Sequence, residues 1–187
     1  MFVAMSPSAE ALAACASLLE PLRRGQDDTR TVRWVDARAL HVTLKFLGDT
    51  DVGRIDTVVS ATQAAVGSLR PFTVTLAEAG VFPSRSRPRV LWVGVADGAE
   101  ELRRLAAAID ELLGREGWPR EDRPFRAHVT VGRADGSPAA GAAASRLVAA
   151  ATGWQTAFDA SAVTIFRSEL GSGPARYTEL GRAQLGG

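Results

Sequence analysis

Two stretches, residues 40–50 (LHVTLKFLGDT) and residues 124–133 (PFRAHVTVGR), decide how this sequence is interpreted. They contain the only two histidines of the protein, His41 and His128, and each is followed two positions later by a threonine. Residues i and i+2 of an extended strand point to the same face. Each stretch therefore predicts a strand with an imidazole and a hydroxyl on one face and apolar side chains on the other.

Strand and helix patterns alternate around these two stretches. The predicted strands cover residues 2–5, 32–35, 40–47, 71–76, 90–93, 127–133, 158–166 and 175–180. Predicted helices follow several of them, each with an apolar stripe and a capping signal at its start. The capping signals are Ser6 or Ser8, Thr50 or Asp51, Asp97 with Glu100 as a capping box, and Ser137 with Pro138. This order predicts an α+β protein in which a turn and a helix follow each histidine strand.

Composition limits the possible classes of protein. A chain of 187 residues with 46% hydrophobic residues fits one domain with a substantial core. The net charge of +1 argues against broad nucleic-acid binding but permits a local basic pocket. The single cysteine, Cys15, has no partner for an internal disulfide and lies on the apolar stripe of a predicted helix, so we expect it in the core of a cytoplasmic protein. We expect neither a signal peptide nor a membrane span.

The two His-x-Thr pairs fit an in-line displacement at phosphorus. One imidazole can take a proton from the attacking water while the other gives a proton to the leaving oxygen, because histidine titrates near neutral pH. The hydroxyls of Thr43 and Thr130 can stabilise the charge on the phosphate oxygens. Strand parity puts Lys45 on the same face, whereas Arg133 reaches that face only through a bulge near Gly132. The residues alone do not decide which histidine is the acid.

Other interpretations of the same residues stay open at this point. A lone histidine on a strand is commonly structural, and two histidines without a nearby Asp, Glu or Cys make an incomplete metal site. The arginines at positions 85, 87 and 89 fit either a phosphate contact or a solvated loop. Trp92 is expected in the core, and Trp118, in a loop beside a proline, is a candidate for stacking on a base.

Beyond the two tripeptides, the sequence resembles the two-histidine phosphoesterases, in particular the bacterial and archaeal RNA 2′,3′-cyclic phosphodiesterases, also called 2′-5′ RNA ligases. LHVTLKFLGDT and FRAHVTVGR resemble the two His-x-Thr-x motifs of that family. GVFPSRSRPRVLWVGV resembles its middle loop and strand, and IFRSELGSGPARYTEL resembles its C-terminal Ser-Glu-Leu and tyrosine segment. The resemblance runs in the right order from about residue 2 to residue 180.

The resemblance implies a two-lobed, pseudo-symmetric α+β fold, with two antiparallel-rich sheets lining a central cleft and helices outside. We expect one domain over residues 1–187, with one motif in each lobe. The implied activity is metal-independent hydrolysis of an RNA 2′,3′-cyclic phosphate to a 2′-phosphate, with His41 as proton donor and His128 as proton acceptor. Thr43, Thr130 and Arg133 would bind the phosphate.

We expect no cofactor and no metal, and we expect a monomer whose partners are RNA ends or small nucleotides with a 2′,3′-cyclic phosphate. Three alternatives remain. The same chemistry could act on another small cyclic or 2′-linked nucleotide. The same site run in reverse would join RNA by a 2′-5′ link when a 5′-hydroxyl replaces water. A protein that only binds RNA ends is the alternative outside catalysis, although a binder has no need of matched proton-transfer groups.

Overall fold

The computed structural model describes residues 1–24, 31–67, 69–169 and 176–186. These residues form four α-helices and nine β-strands. The helices are α1 (Ala9–Arg24), α2 (Ile55–Val66), α3 (Ala99–Arg115) and α4 (Pro138–Ala150). The strands are β1 (Phe2–Met5), β2 (Val32–Trp34), β3 (Val42–Phe46), β4 (Phe72–Phe82), β5 (Val90–Val95), β6 (His128–Ala134), β7 (Gln155–Ala160), β8 (Ala162–Glu169) and β9 (Arg176–Gln184).

Capping residues explain where α1 and α4 begin. The hydroxyls of Ser8 and Ser137 each accept a hydrogen bond from a backbone amide of the first turn, as the sequence predicts. The capping box predicted for α3 is wrong. Gly98 takes the N-cap position in the left-handed region, at φ 81°, and no side chain caps this helix. Glu100 instead binds the guanidinium of Arg103 one turn later.

The strands form one antiparallel sheet in the order β7-β4-β5-β6-β3-β1-β8-β9, and β2 also pairs with β6. The predicted α+β class and the antiparallel pairing are confirmed. The two expected sheets are hydrogen-bonded into one, because the pair Val42↔Val129 joins β3 to β6. This pair divides the sheet into a first half of β7, β4, β5, β6 and β2 and a second half of β3, β1, β8 and β9. That these halves are related lobes stays a prediction.

The helices pack on one face of the curled sheet. Helices α1 and α4 contact each other and cover the first half through β7 and β4. Helices α2 and α3 contact each other and cover the second half through β3, β8 and β9. Burial of Val42, Leu44, Val129 and Val131 beneath the helices fixes which face of the histidine strands belongs to the core. We call the opposite face, which the helices leave open, the cleft face.

Several strand limits differ from the prediction. The strand predicted over residues 158–166 is two strands, β7 and β8, which are separated at Ser161. The last strand continues to Gln184, and its predicted first residue, Ala175, lies outside the described residues. Strand β4 continues to Phe82 through a bulge in which Glu78 has a φ of 57°. Bulges interrupt the strict alternation on which the sequence prediction relied.

Candidate active site

The two histidine strands lie side by side at the junction of the two halves. Val42 and Val129 are paired and fully buried on the helix side. Because side chains alternate along a strand, the residues that flank these valines face the cleft. These residues are His41, Thr43, His128 and Thr130. The antiparallel register sets each histidine across from the threonine of the other strand, so the structure brings the four predicted side chains together.

Each imidazole ring is held by a hydrogen bond to the carbonyl oxygen two residues earlier in the chain. Nδ1 of His41 lies 2.8 Å from the carbonyl oxygen of Ala39, and Nδ1 of His128 lies 2.7 Å from the carbonyl oxygen of Arg126. A carbonyl only accepts, so Nδ1 carries a proton and donates it in both rings. Nε2 is left for a ligand in each ring. It accepts a proton when the imidazole is neutral and donates one when it is charged.

Aromatic rings enclose His41. Phe2 of β1 stacks on the imidazole with ring centres 4.7 Å apart, and Tyr177 of β9 meets it edge-on at 5.3 Å. Phe2 is itself buried and stacks on Phe166 of β8. Phe2 and Tyr177 thus contact His41 directly, and Phe166 supports Phe2 from the neighbouring strand.

This environment changes the proton affinity of His41. Burial lowers the pKa of the imidazole because the charged form loses hydration. The hydrogen bond to Ala39 opposes this shift, while the positive charges of Arg133 and His128 add to it. The net effect is a pKa below the usual value, which favours the neutral ring in the free protein.

Aromatic side chains of the first half contact His128. Phe82 meets the imidazole edge-on with ring centres 5.3 Å apart, and the ring of Trp92 lies 6.4 Å away. The prediction that Trp92 belongs to the core is wrong, because it pairs with Thr130 and shares the cleft face. Its indole lies across Gly80, where an added Cβ would come within 2.2 Å of the ring. Glycine at that position leaves the space that the indole occupies.

A bulge in β6 turns Arg133 towards the cleft. Opposite the consecutive residues Leu91 and Trp92 of β5, strand β6 contains one extra residue, Val131. Val131 and Gly132 both lie on the buried side, so Arg133 returns to the face of the histidines. The bulge that the sequence analysis required for this placement is therefore present.

A matching bulge in β3 turns Lys45 the other way. Opposite the consecutive residues Val3 and Ala4 of β1, strand β3 contains one extra residue, Leu44. Lys45 then lies on the helix side, where Nζ donates a 2.6 Å hydrogen bond to the carboxylate of Asp110 on α3. Its side chain is 1% exposed. The prediction that Lys45 faces the histidine site is therefore wrong.

Other candidate residues lie away from the histidines. Trp118 is 6% exposed and packs on the core, with the guanidinium of Arg54 3.6 Å from its ring centre. The prediction that it stacks on a base is wrong, because neither face of the indole is free in this packing. The arginines at 85, 87 and 89 are exposed in the connection between β4 and β5, and their contact with phosphate stays a prediction.

Cys15 is shielded from solvent, and the described residues offer neither a metal cluster nor a membrane-spanning helix. Cys15 is buried in the core as predicted, and burial raises the pKa of its thiol to about 11. Across the described ranges, no three side chains of His, Cys, Asp or Glu are grouped so that they could hold a metal ion. Within the same part of the chain, none of the helices combines the length and apolar character needed to cross a bilayer.

Comparison with known sequences identifies the family of this two-histidine arrangement. The sequence model described as the 2′-5′ RNA ligase superfamily matches residues 9–171, which include both His-x-Thr pairs. The chain belongs to this superfamily. The resemblance of the two motifs is therefore confirmed at the level of the family.

Three relatives of this chain share the name RNA 2′,3′-cyclic phosphodiesterase. An RNA 2′,3′-cyclic phosphodiesterase of Aquifex aeolicus is 37% identical over 102 residues, which are 54% of each chain. One of Archaeoglobus fulgidus is 33% identical over 115 residues, or 62% of this chain and 63% of that protein. The chain thus spans little more than half the length of these relatives. The protein of that name from Escherichia coli strain K12 is 31% identical over 155 residues, 82% of this chain and 80% of its own.

Solved structures support the fold. The crystal structure of E. coli LigT complexed with 3′-AMP covers 98% of this chain and 96% of its own, with 26% identity and a TM-score of 0.73. The crystal structure of TT0787 of Thermus thermophilus covers the same shares of the two chains, with 25% identity and a TM-score of 0.72. The sheet and helices described above are therefore the fold of this superfamily.

Sequence reasoning missed the side chains that enclose the imidazoles. Phe2 and Tyr177 come from the two ends of the chain and meet at His41, and Phe82 reaches His128 from the end of β4. Strand alternation places Phe2 on one face of β1, but only the pairing of β1 between β3 and β8 brings it to His41. That pairing has no local sequence signal.

Proposed function

We propose that this protein hydrolyses the 2′,3′-cyclic phosphate at an RNA end to a 2′-phosphate. The observation that carries the proposal is the matched pair of imidazoles, which lie on the same face of two paired strands and each hydrogen-bond a carbonyl through Nδ1. Two such groups on one face can serve the two proton transfers of an in-line displacement. The name shared by the relatives agrees with this chemistry.

The reaction assigns one role to each histidine. Water attacks phosphorus and loses its proton to Nε2 of His128, while the bond to O3′ breaks and O3′ takes the proton of Nε2 of His41. The phosphate stays on O2′. Thr43 and Thr130 donate hydrogen bonds to the non-bridging oxygens, and Arg133 offsets part of their negative charge. The order of donor and acceptor follows the resemblance to the family, and no metal takes part in the proposed step.

The lowered pKa of His41 bears on its role as donor. In the free protein the neutral imidazole is favoured, so His41 gains its proton as substrate binds. A bound phosphate opposes the positive charge of Arg133 and favours protonated His41. We therefore expect substrate binding and proton uptake at His41 to be coupled.

Product analysis tests the proposal. The purified protein is incubated in excess EDTA with a short RNA that ends in a 2′,3′-cyclic phosphate, and the products are separated by chromatography. The expected product is the 2′-phosphate. A 3′-phosphate, or turnover only after a metal is added, would contradict the proposed reaction.

A second candidate is 2′-5′ ligation, which the description of the matching family favours. The same residues serve it in the same roles: a 5′-hydroxyl replaces water as the nucleophile and loses its proton to His128, while O3′ leaves with the proton of His41. Adding an RNA with a 5′-hydroxyl to the assay reports ligated product directly. A protein that only binds RNA ends would yield neither product. We place the reaction in the cytoplasm because the single thiol fits a reducing compartment.

A further inference from the structure

A second arginine stands beside Arg133. Arg33 of β2 is its direct partner in the antiparallel pairing of β2 with β6. Directly opposed residues of antiparallel strands point to the same face. The neighbours of Arg33, Val32 and Trp34, pack on the core around Gly132, so Arg33 points away from the core. Both guanidinium groups therefore project from the cleft face.

In the described part of the chain, no carboxylate is paired with either arginine of this pair. Arg33 and Arg133 are both exposed, and neither forms an ion pair with a carboxylate among the described residues. The nearest acidic residues have other partners: Asp36 is bound on both oxygens by Arg38, and Asp135 accepts a hydrogen bond from the backbone amide of Ser137 and lies near the charge of Arg89. Like charges set directly opposite each other across two strands destabilise a sheet. An anion between the two guanidinium groups would remove this cost.

A simpler explanation accounts for the charge at position 33 but not for the second arginine opposite it. Charged side chains on a short edge strand prevent pairing with other chains, and Arg33 on the three-residue strand β2 could serve that purpose. That purpose requires a charge at position 33 but does not require another arginine opposite it. Any charged residue would do, and an acidic one would also pair with Arg133.

The arginine pair lies close to the reacting groups. Arg133 is three residues from Thr130, a span of about 10 Å in a regular strand and less through the bulge. Its charge acts on the pKa of His41. An RNA strand whose terminal phosphate lies between the histidines can thus bring its next phosphate to the arginine pair within one nucleotide.

We propose that Arg33 binds the phosphodiester that joins the terminal nucleotide to the one before it, and that Arg133, which lies between Arg33 and the histidines, contacts both this phosphodiester and the terminal phosphate. Guanidinium groups are suited to this task because their planar donors match two phosphate oxygens. The inference rests on the proposed function and adds a substrate class. The site takes RNA ends with an internucleotide phosphate in preference to cyclic mononucleotides.

Three substrates test the proposal: a nucleoside 2′,3′-cyclic phosphate, a dinucleotide with the same cyclic end, and that dinucleotide with an uncharged methylphosphonate link. We expect kcat/KM to be about tenfold higher for the normal dinucleotide than for the other two, the scale of a charge-assisted contact. Arg33→Gln should remove this advantage and leave the methylphosphonate substrate unaffected. It should also weaken the salt dependence of dinucleotide turnover.

Arg38→Gln is the matched control, because Arg38 is an exposed arginine of the same region that is bound to Asp36. It should retain the dinucleotide advantage. Equal turnover of all three substrates by the native protein would overturn the arginine site while leaving the proposed function intact. A uniform loss for all three in Arg33→Gln, with thermal unfolding unchanged, would also overturn it. Failure to open any substrate would overturn both proposals.

Discussion

Strands β3 and β6 are alike up to the bulge and differ directly after it. In each strand a histidine is held by the carbonyl two residues earlier, and a buried valine and a threonine follow. An extra residue then follows the threonine. The next two positions differ: they are Lys45 and Phe46 in β3 and Gly132 and Arg133 in β6.

This difference gives the cleft two unlike ends. Lys45 is buried against α3, whereas Gly132 leaves room for core side chains of β2. At the next position Phe46 is 61% exposed in β3, and the exposed Arg133 takes the corresponding place in β6. The histidine and threonine positions are matched between the strands, whereas the second position after the bulge is an exposed phenylalanine in β3 and an exposed arginine in β6. In the proposed reaction, the two strands therefore supply matched proton-transfer groups but unlike contacts to the substrate.

The largest effect is expected from the histidines. His41→Ala and His128→Ala should each lower kcat about 100- to 10,000-fold, the scale of general acid–base catalysis. The double variant should lose little more than either single variant, because the two rings serve one reaction. Steady-state kinetics on cyclic-phosphate RNA measures this, with circular dichroism to show that the variants fold. A folded single variant with nearly full activity would show that the substituted histidine is not a proton-transfer group.

Lys45 tests the first difference. Lys45→Met removes the buried ammonium from Asp110, which keeps its contacts with Arg120 and with the amide of Glu121, so the free energy of unfolding should fall by about 2 kcal/mol, the scale of one hydrogen bond to a charged group. KM should change little, because Lys45 does not reach the cleft face. Urea unfolding measures the stability, and Arg103→Met on the exposed side of α3 is the control. A raised KM with unchanged stability would show that Lys45 contacts the substrate.

Arg133 tests the second difference. Arg133→Gln should lower kcat/KM about tenfold, since it removes one charged contact to phosphate. Stability should stay within about 0.5 kcal/mol, as for most exposed residues. The matched control is Arg126→Gln, whose backbone carbonyl still holds His128 although its exposed side chain changes. Equal losses in the two variants would show that position 133 has no special part in binding.

The smallest effect concerns protonation of His41. The pKa of His41 measured by NMR should lie below the usual value of about 6.5, and Tyr177→Ala should raise this pKa by admitting water to the imidazole. Because the folded protein binds this proton less tightly than the unfolded chain, the free energy of unfolding should fall as pH drops through 6.5 and below. Phe82→Ala, beside His128, is the control. A pKa of His41 above 6.5 in the free protein would contradict the burial argument.

The sequence predicted most elements and the four central side chains, because these depend on local signals. Alternation alone places His41 with Thr43 and His128 with Thr130. The errors arose where the alternation is broken or where the chain must choose between faces. A bulge turned Lys45 inward, and Trp92 is apolar but faces the cleft. No local pattern encodes a bulge opposite a particular strand.

The other features that the sequence did not predict depend on pairing between strands that are distant in the chain. The junction Val42↔Val129 and the contact of Phe2 with His41 depend on which strands become neighbours in the sheet. The pairing of Arg33 with Arg133 is of the same kind, since a three-residue strand gives little signal of its register. Sequence periodicity predicts the face of a residue but not its neighbour on the next strand.

The central claim is that both imidazoles face one phosphate through Nε2. NMR of protein labelled with ¹⁵N-histidine tests it directly, since only two rings contribute signals. A nucleoside 2′-monophosphate is added in excess EDTA. The account predicts that the Nε2 signals of His41 and His128 both shift along one binding curve while Nδ1 keeps its proton in both rings. A shift in only one ring, or two different binding curves, would contradict it.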